Sequence, residues 1–372
     1  MLGILRVKGF PFDKTETPNT DWRLHMKDYM AGIDLHSNNL VLALVNLQGE
    51  RIAHHRVPCD LAKVLATLLP YRERLDTLAI ESTYNWYWLA DGLQDAGYHV
   101  VLANPAGVVT YTGLKHTDDA DDAYLLAELL RLNILPQGQI YDRQLRPVRD
   151  LLRRRLLLVR QRTALYLSLG SLHARMHGAK LPLKELKALE PKPAMALFTH
   201  PADQLVARTE VELLRAYDEK IERIEKAVLA VVKELPCYPR LKTLPGVGLI
   251  LALTISLEVG DIGRFAGPGL LASYSRCVES RRISNGKKKG ENNAKAGNKY
   301  LAWAFIEAAN FAKRFDEQCR RYWDRKAAQR NVFVATKALA NKLCQAAWHL
   351  MSAGSDYDAA RMFPGGKTAG SF

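Results

Sequence analysis

Four aspartates, Asp118, Asp119, Asp121 and Asp122, fall within five residues of a chain whose formal net charge is +14. They belong to a stretch, Lys115 to Leu130, that reads as the start of an amphipathic helix. Aspartate caps a helix N-terminus and faces the positive end of its dipole, which accounts for one or two of the four. The 3-4-3 spacing of Asp119, Asp122, Leu126 and Leu129 puts two acids on the apolar stripe, facing the body of the domain. Unpaired carboxylates there are costly, and a hard divalent cation offsets that cost. Two more acids stand at expected strand ends: Asp34 in Tyr29 to Leu35, and Glu81 after Thr77 to Ile80. In open α/β sheets functional groups gather at the carboxyl ends of strands. Asp34, Glu81, Asp119 and Asp122 therefore form a candidate nest for Mg²⁺ or Mn²⁺, because clustered carboxylates do not stay ionised together without cations. Two such ions, roughly 3.5–4 Å apart, clamp the attacking and leaving oxygens of a phosphodiester.

A second stretch of chemical interest runs from Ser273 to Tyr300. It contains Ser280-Arg281-Arg282-Ile283-Ser284-Asn285-Gly286-Lys287-Lys288-Lys289-Gly290 and then Lys295-Ala296-Gly297-Asn298. It reads as a flexible basic loop in which a serine hydroxyl sits among cations that hold a phosphate and stabilise its developing charge. Arg153, Arg154, Arg155, Arg160 and Arg162 stud a segment with few nearby acids, and their faces suit a phosphate backbone. Leu244-Pro245-Gly246-Val247-Gly248 opens a further helix; it is either a helix-hairpin-helix turn, with Gly246 and Gly248 offering backbone N–H groups to phosphate, or a plain Pro-Gly helix start.

The elements that position these groups follow from periodicity. Tyr29–Leu35, Asn39–Leu47 and Arg51–Val57 read as an antiparallel meander with a turn at Gln48-Gly49. A helix over Leu61–Leu69, a strand ending at Ile80, a helix over Trp86–Ala96 stopped by Gly97, a strand over Tyr98–Ala103 and the acidic helix complete the first part. Three strands, helix, strand, helix, strand, helix is the order of a ribonuclease-H-like α/β fold. Leu151, Leu158, Leu165 and Leu172 recur every seventh residue, which predicts a long helix with a packed seam. Pro182, Pro191, Pro193 and Pro201 mark a loop-rich connection. Leu214, Tyr217, Ile221, Ile224, Val228, Val231 and Leu235 form a coiled-coil seam, whose partner is either the arginine-rich helix or a second subunit. Residues 301–350 read as helical.

At 372 residues the chain accommodates two or three domains, and 48% hydrophobic content is that of a folded protein. No apolar run approaches a membrane span, which argues against a membrane partner. Five scattered cysteines without metal spacing read as reduced thiols of a cytoplasmic protein. The positive charge points to nucleic acid, and so to nucleoid association.

Taken in order, Gly32-Ile33-Asp34, Ile80-Glu81-Ser82-Thr83, Asp119-Ala120-Asp121-Asp122-Ala123, Pro245-Gly246-Val247-Gly248 and the serine-rich region before Lys295-Ala296-Gly297-Asn298 resemble the insertion-sequence transposases that join a RuvC-like DEDD domain to a catalytic-serine domain. Composition reads residues 1–27 as a disordered leader and 353–372 as a loose tail. Between them the resemblance implies a RuvC-like DEDD domain over 28–140, a basic helical and coiled-coil region over 141–236, and a mostly helical serine domain over 237–352. It carries the four metal-binding acids to Asp34, Glu81, Asp119 and Asp122, and the nucleophile to Ser284, with Ser280 as the second candidate. Asn285 stands between Ser284 and Gly286 where the family more often has a Ser-Gly pair. The resemblance further implies a covalent phosphoserine link to DNA, Mg²⁺ or Mn²⁺ as cofactor, donor and target duplexes and a bridge RNA as partners, and a dimer or tetramer in which acid and serine domains of different subunits meet. Arg281, Arg282, Lys287, Lys288, Lys289 and Lys295 would hold nucleic acid. Two other readings stay open: a metal-only junction-resolving nuclease, and an inactive nucleic-acid-binding protein.

Overall fold

The computed structural model describes residues 27–111, 118–232, 238–280, 282–290 and 296–363. Most of the leader, Leu235, Arg281, Lys295 and the end of the tail lie outside the described residues. The chain divides into two compact units, Met1–Ile140 and Tyr141–Phe372.

The first unit is a mixed α/β sheet. Its elements are β1 (Tyr29–Leu35), β2 (Asn39–Asn46), β3 (Arg51–Pro58), α1 (Leu61–Leu68), β4 (Leu75–Glu81), α2 (Tyr87–Asp95), β5 (His99–Ala103), α3 (Pro105–Val108), α4 (Asp119–Arg131) and β6 (Gln137–Gly138). The sheet order is β3-β2-β1-β4-β5-β6. β1, β2 and β3 form the antiparallel meander, β4 and β5 join it in parallel, and the short β6 runs antiparallel to β5. Alternation sorts the two faces. Ala31, Ile33, Leu35, Leu40, Leu42 and Leu44 pack with Val64 and Leu68 of α1 and Leu89, Ala90 and Leu93 of α2. Met30, Val41, Ala43 and Val45 face the other way, onto Ala123, Tyr124 and Ala127 of α4.

Gly32 decides how close α4 comes. A β-carbon at Gly32 would stand 2.0 Å from the Ala123 carbonyl oxygen and 2.6 Å from the Ala127 nitrogen. Only a residue without a side chain lets helix backbone rest on strand backbone in this way.

The second unit is mostly helical. It comprises α5 (Leu145–His177), α6 (Leu183–Ala188), α7 (Pro191–Ala196), α8 (Pro201–Val232), α9 (Tyr238–Leu241), α10 (Leu249–Val259), α11 (Pro268–Tyr274), a hairpin of β7 (Arg282–Ser284) and β8 (Lys287–Gly290), α12 (Lys299–Phe315), α13 (Glu317–Gln329), α14 (Val332–Ala353) and α15 (Ala359–Met362). α10 is buried from Leu251 to Val259. Its Leu251, Ala252, Ile255 and Val259 share a core with Ala304, Phe305 and Ala308 of α12 and Leu339 and Leu343 of α14.

One open alternative is resolved here and two expectations change. The α8 seam has its partner within the chain: Tyr166, Leu169 and Leu172 of α5 pack with Ala207, Val211 and Leu214, and Val148 and Leu152 with Val228. The α5 seam keeps only part of the heptad: Leu172 is buried and Leu165 packs beside it, but toward the start of the helix Leu152 and Leu156 are buried while Leu151 and Leu158 are only half-buried. Runs such as Leu156-Leu157-Leu158 put leucine on several faces, so a seven-residue count cannot choose the buried one. The proline-rich connection is helical, because Pro191 and Pro201 occupy first helical positions, where a missing N–H costs nothing.

Candidate functional site

Parallel pairing of β1 with β4 sets Gly32 beside Ala79 and Ile33 beside Ile80. One step further along both strands places Asp34 level with Glu81 on the face that α4 covers. Asp34 is 5% exposed and Glu81 half-buried. Burial, then the hydrogen bond and charge of Asp34 and the charge of Asp122, push the Glu81 carboxyl up to about 7. Near neutrality the Glu81 carboxyl is therefore still partly protonated.

The Gly32 crossing brings the first turn of α4 over this pair, and its four aspartates divide their roles. Asp118 is the N-cap, accepting from the Asp121 amide at 2.8 Å. Asp121 pairs with Arg51 at 2.9 Å, and the Arg51 guanidinium lies 4.3 Å over the Tyr124 ring. Asp119 accepts from Arg56 at 2.5 Å, and that bond holds its carboxyl below the usual range. Asp122 is raised by partial burial and then by the charges of Asp34, Asp119, Asp121 and Asp118. The expectation that Asp119 and Asp122 point into the domain is corrected. Asp119 is 40% exposed at its side chain and Asp122 is exposed, because they precede the buried face of Ala123, Leu126 and Ala127. They rim the site, and Asp34 alone of the four is buried.

His36 belongs to the same site and was not among the expected residues. Its Nε2 lies 3.3 Å from an oxygen of Asp34 and 3.3 Å from an oxygen of Asp119. Ligand atoms of Asp34, His36 and Asp119 all lie within 4.8 Å of one another and could hold a divalent ion. The signal was the Asp34-Leu35-His36 spacing, since alternate residues leaving a strand project to one side. The donors fit a metal: several carboxylate oxygens converge, burial and acidic neighbours hold the Glu81 carboxyl well above its ordinary range, and a buried imidazole nitrogen lies among them.

The serine segment is a hairpin rather than an open loop. Asn285 and Gly286 have φ of 50° and 68°, the two left-handed positions of a tight two-residue turn, and Ser284 pairs with Lys287 across it. Ser280 is half-buried ahead of the hairpin. The base is clasped. Arg276 donates to the carbonyl oxygens of Ala296 and Gly297 at 2.9 and 2.8 Å, and the Asn298 amide donates to the Tyr274 carbonyl at 2.6 Å. Asn298 then caps α12 through the amides of Tyr300 and Leu301.

The expected nucleic-acid residues split. Arg153 donates both arms of its fork to Glu258 at 2.6 and 2.7 Å, Arg155 pairs with Glu225 and Arg162 with Asp218. The compensating acids come from α8 and α10, far away in sequence, so these three arginines are ion-paired inside the unit. Arg154, Arg160, Lys287 and Lys289 are exposed. Lys288 and Arg282 lie on the hairpin strands. Gly246, with φ of 74°, is a packing glycine: a β-carbon there would meet the Ala308 carbonyl oxygen at 2.1 Å. Gly248 is exposed at the N-cap of α10, with nothing within 4 Å of a β-carbon. Among the described residues no helix is long and apolar enough to cross a membrane.

Comparison with known proteins gives this arrangement a context. Residues 31–173 match the DEDD transposase domain of the IS110 type, which makes the first unit a DEDD-type domain. Residues 238–324 match the transposase IS116/IS110/IS902 family. With both domains in this order, the chain is a transposase of the IS110/IS116 family. It is 28% identical over 289 residues to a probable family 20 transposase of Pseudomonas aeruginosa, covering 74% of this chain and 83% of the relative. It is 27% identical over 351 residues to the transposase for insertion sequence element IS1111A of Coxiella burnetii, covering 90% and 93%.

Proposed function

We propose that this transposase cuts and rejoins DNA by serine-dependent phosphodiester exchange assisted by Mg²⁺ or Mn²⁺. The observation that supports it best is the level placement of Asp34 and Glu81 on neighbouring parallel strands, with the acids of α4 above them. In this reading the first unit is a ribonuclease-H-like, RuvC-like domain over 28–140. Residues 141–236 form the basic helical region and 237–352 the serine domain. Asp34, Glu81, Asp119 and Asp122 hold the metal, which when bound supplies positive charge for the phosphate. The Ser284 oxygen forms a bond to phosphorus, the bond from phosphorus to one deoxyribose oxygen breaks, and that oxygen leaves as a hydroxyl with the proton the serine lost. A hydroxyl of the partner strand reverses the step, so the bond energy is kept. Ser280 is the fallback nucleophile.

Exposed Arg154, Arg160, Lys287 and Lys289, with Arg282, Lys288 and the amides near Gly248, would grip donor and target duplexes and a bridge RNA whose pairing reads the sequence. Assembly as a dimer or tetramer and residence at the nucleoid complete the proposal. Incubating the protein with DNA carrying the element's ends, then denaturing it, tests the chemistry. Wild type should retain a covalent protein–DNA adduct, Ser284→Ala should lose it, and Asp34→Asn should lower it by about a hundredfold or more, as loss of a metal ligand does. An adduct persisting in Ser284→Ala refutes the serine assignment. Junction cleavage at the wild-type rate by that variant would favour a metal-only nuclease.

A further inference from the structure

We propose that His36 is itself a ligand of the ion in the acid nest, and that it tilts selection toward first-row transition ions, Mn²⁺ or Co²⁺, over Mg²⁺. The inference rests on the metal reading above and adds a residue outside the four acids. Three observations carry it. The Nε2 atom stands 3.3 Å from a carboxylate oxygen on each side, from β1 and from α4. That nitrogen is buried, stands at ion-pair distance from both carboxylates, and belongs to a set of ligand atoms that all lie within 4.8 Å of one another. The residue is held by its backbone rather than by its ring: its N–H donates to the Asn39 carbonyl at 2.9 Å, and its carbonyl accepts from Asn85 Nδ2 at 2.9 Å and Cys59 Sγ at 3.7 Å. The imidazole is thus presented from a fixed turn, and its replacement leaves the turn's own bonds in place.

An imidazole in an otherwise all-oxygen set changes which ion fits. Mg²⁺ favours oxygen donors in strict octahedral geometry and gives up its water reluctantly. Transition ions gain from a nitrogen donor, increasingly from Mn²⁺ to Co²⁺. The same four acids without His36 would show no such bias.

The test uses the full chain with Mn²⁺ alone, followed by electron spin echo modulation and by calorimetric titration with Mn²⁺ and Mg²⁺ in turn. Bound Mn²⁺ in wild type should show ¹⁴N coupling that His36→Gln abolishes. Mn²⁺ affinity should fall about tenfold in that variant while Mg²⁺ affinity changes less than about twofold. Mn²⁺ bound without ¹⁴N coupling, or equal losses for both ions, would overturn the role of His36 and leave the acid nest standing. Failure of wild type to bind either ion would instead remove the metal reading itself, and this inference with it. The wild-type spectrum decides the matter even if the variant folds poorly.

Discussion

Glu258 and the Asp34–Glu81 pair are carboxylates handled in opposite ways. Glu258 is 2% exposed, and one oxygen accepts from Arg153 while the other accepts from Arg153 and from Asn298 Nδ2 at 2.7 Å. The protein has supplied both the countercharge and the hydrogen bonds, so the group is finished. Asp34 and Glu81 lie at the carboxyl ends of the two central strands of the sheet, where burial and acidic neighbours push Glu81 up to about 7. Arg56 reaches Asp119 alone, and the nearest other nitrogen group, the His36 imidazole, lies 3.3 Å from an oxygen of Asp34 and of Asp119. Buried carboxylates that a protein neutralises itself serve the fold; those left short of charge are prepared for something that arrives.

Breaking the finished site should have the largest effect. Arg153→Ala leaves Glu258 buried and unpaired, and urea denaturation should show a loss of about 3–5 kcal/mol; replacing both partners with apolar residues should restore most of it. Gly32→Ala comes next. Its new β-carbon meets the α4 backbone, and overpacking of this kind costs about 1–3 kcal/mol. Calorimetry should also show weakened metal binding, because the acids of α4 are lifted from Asp34. The smallest effect sharpens the contrast. Glu81 is raised from its ordinary 4.5 to about 7, so between those values the folded state keeps a proton that the unfolded state has lost. Stability therefore falls as pH rises through that window and levels off above it. Glu81→Gln should flatten the decline, a difference on the order of 1 kcal/mol above pH 7 after discounting for solvent screening. A decline unchanged in the variant would show that Glu81 is not the group left short.

The sheet was readable from sequence because its punctuation is local. Gly49, at φ of 85°, closes the β2–β3 turn, and alternating Val and Leu residues sort the faces of β2. β6 was not readable, since two residues carry no periodicity. The four acids were recognisable by type and position, but His36 looks like any polar residue after a strand until the fold turns it back on Asp34. The arginines misled for the same reason: the carboxylate that takes Arg153 is 105 residues away. Asn285-Gly286 is a strong hairpin signal, yet among so many cations it reads as a departure from a Ser-Gly pair.

The Arg276 clasp has a consequence for how the protein can change. One guanidinium holds carbonyl oxygens twenty and twenty-one residues downstream, so the two ends of that stretch lie side by side whatever happens between them. A segment anchored in this manner behaves as a cassette: its tip can lengthen, shorten or be exchanged with that of a relative while α11 and α12 keep their places.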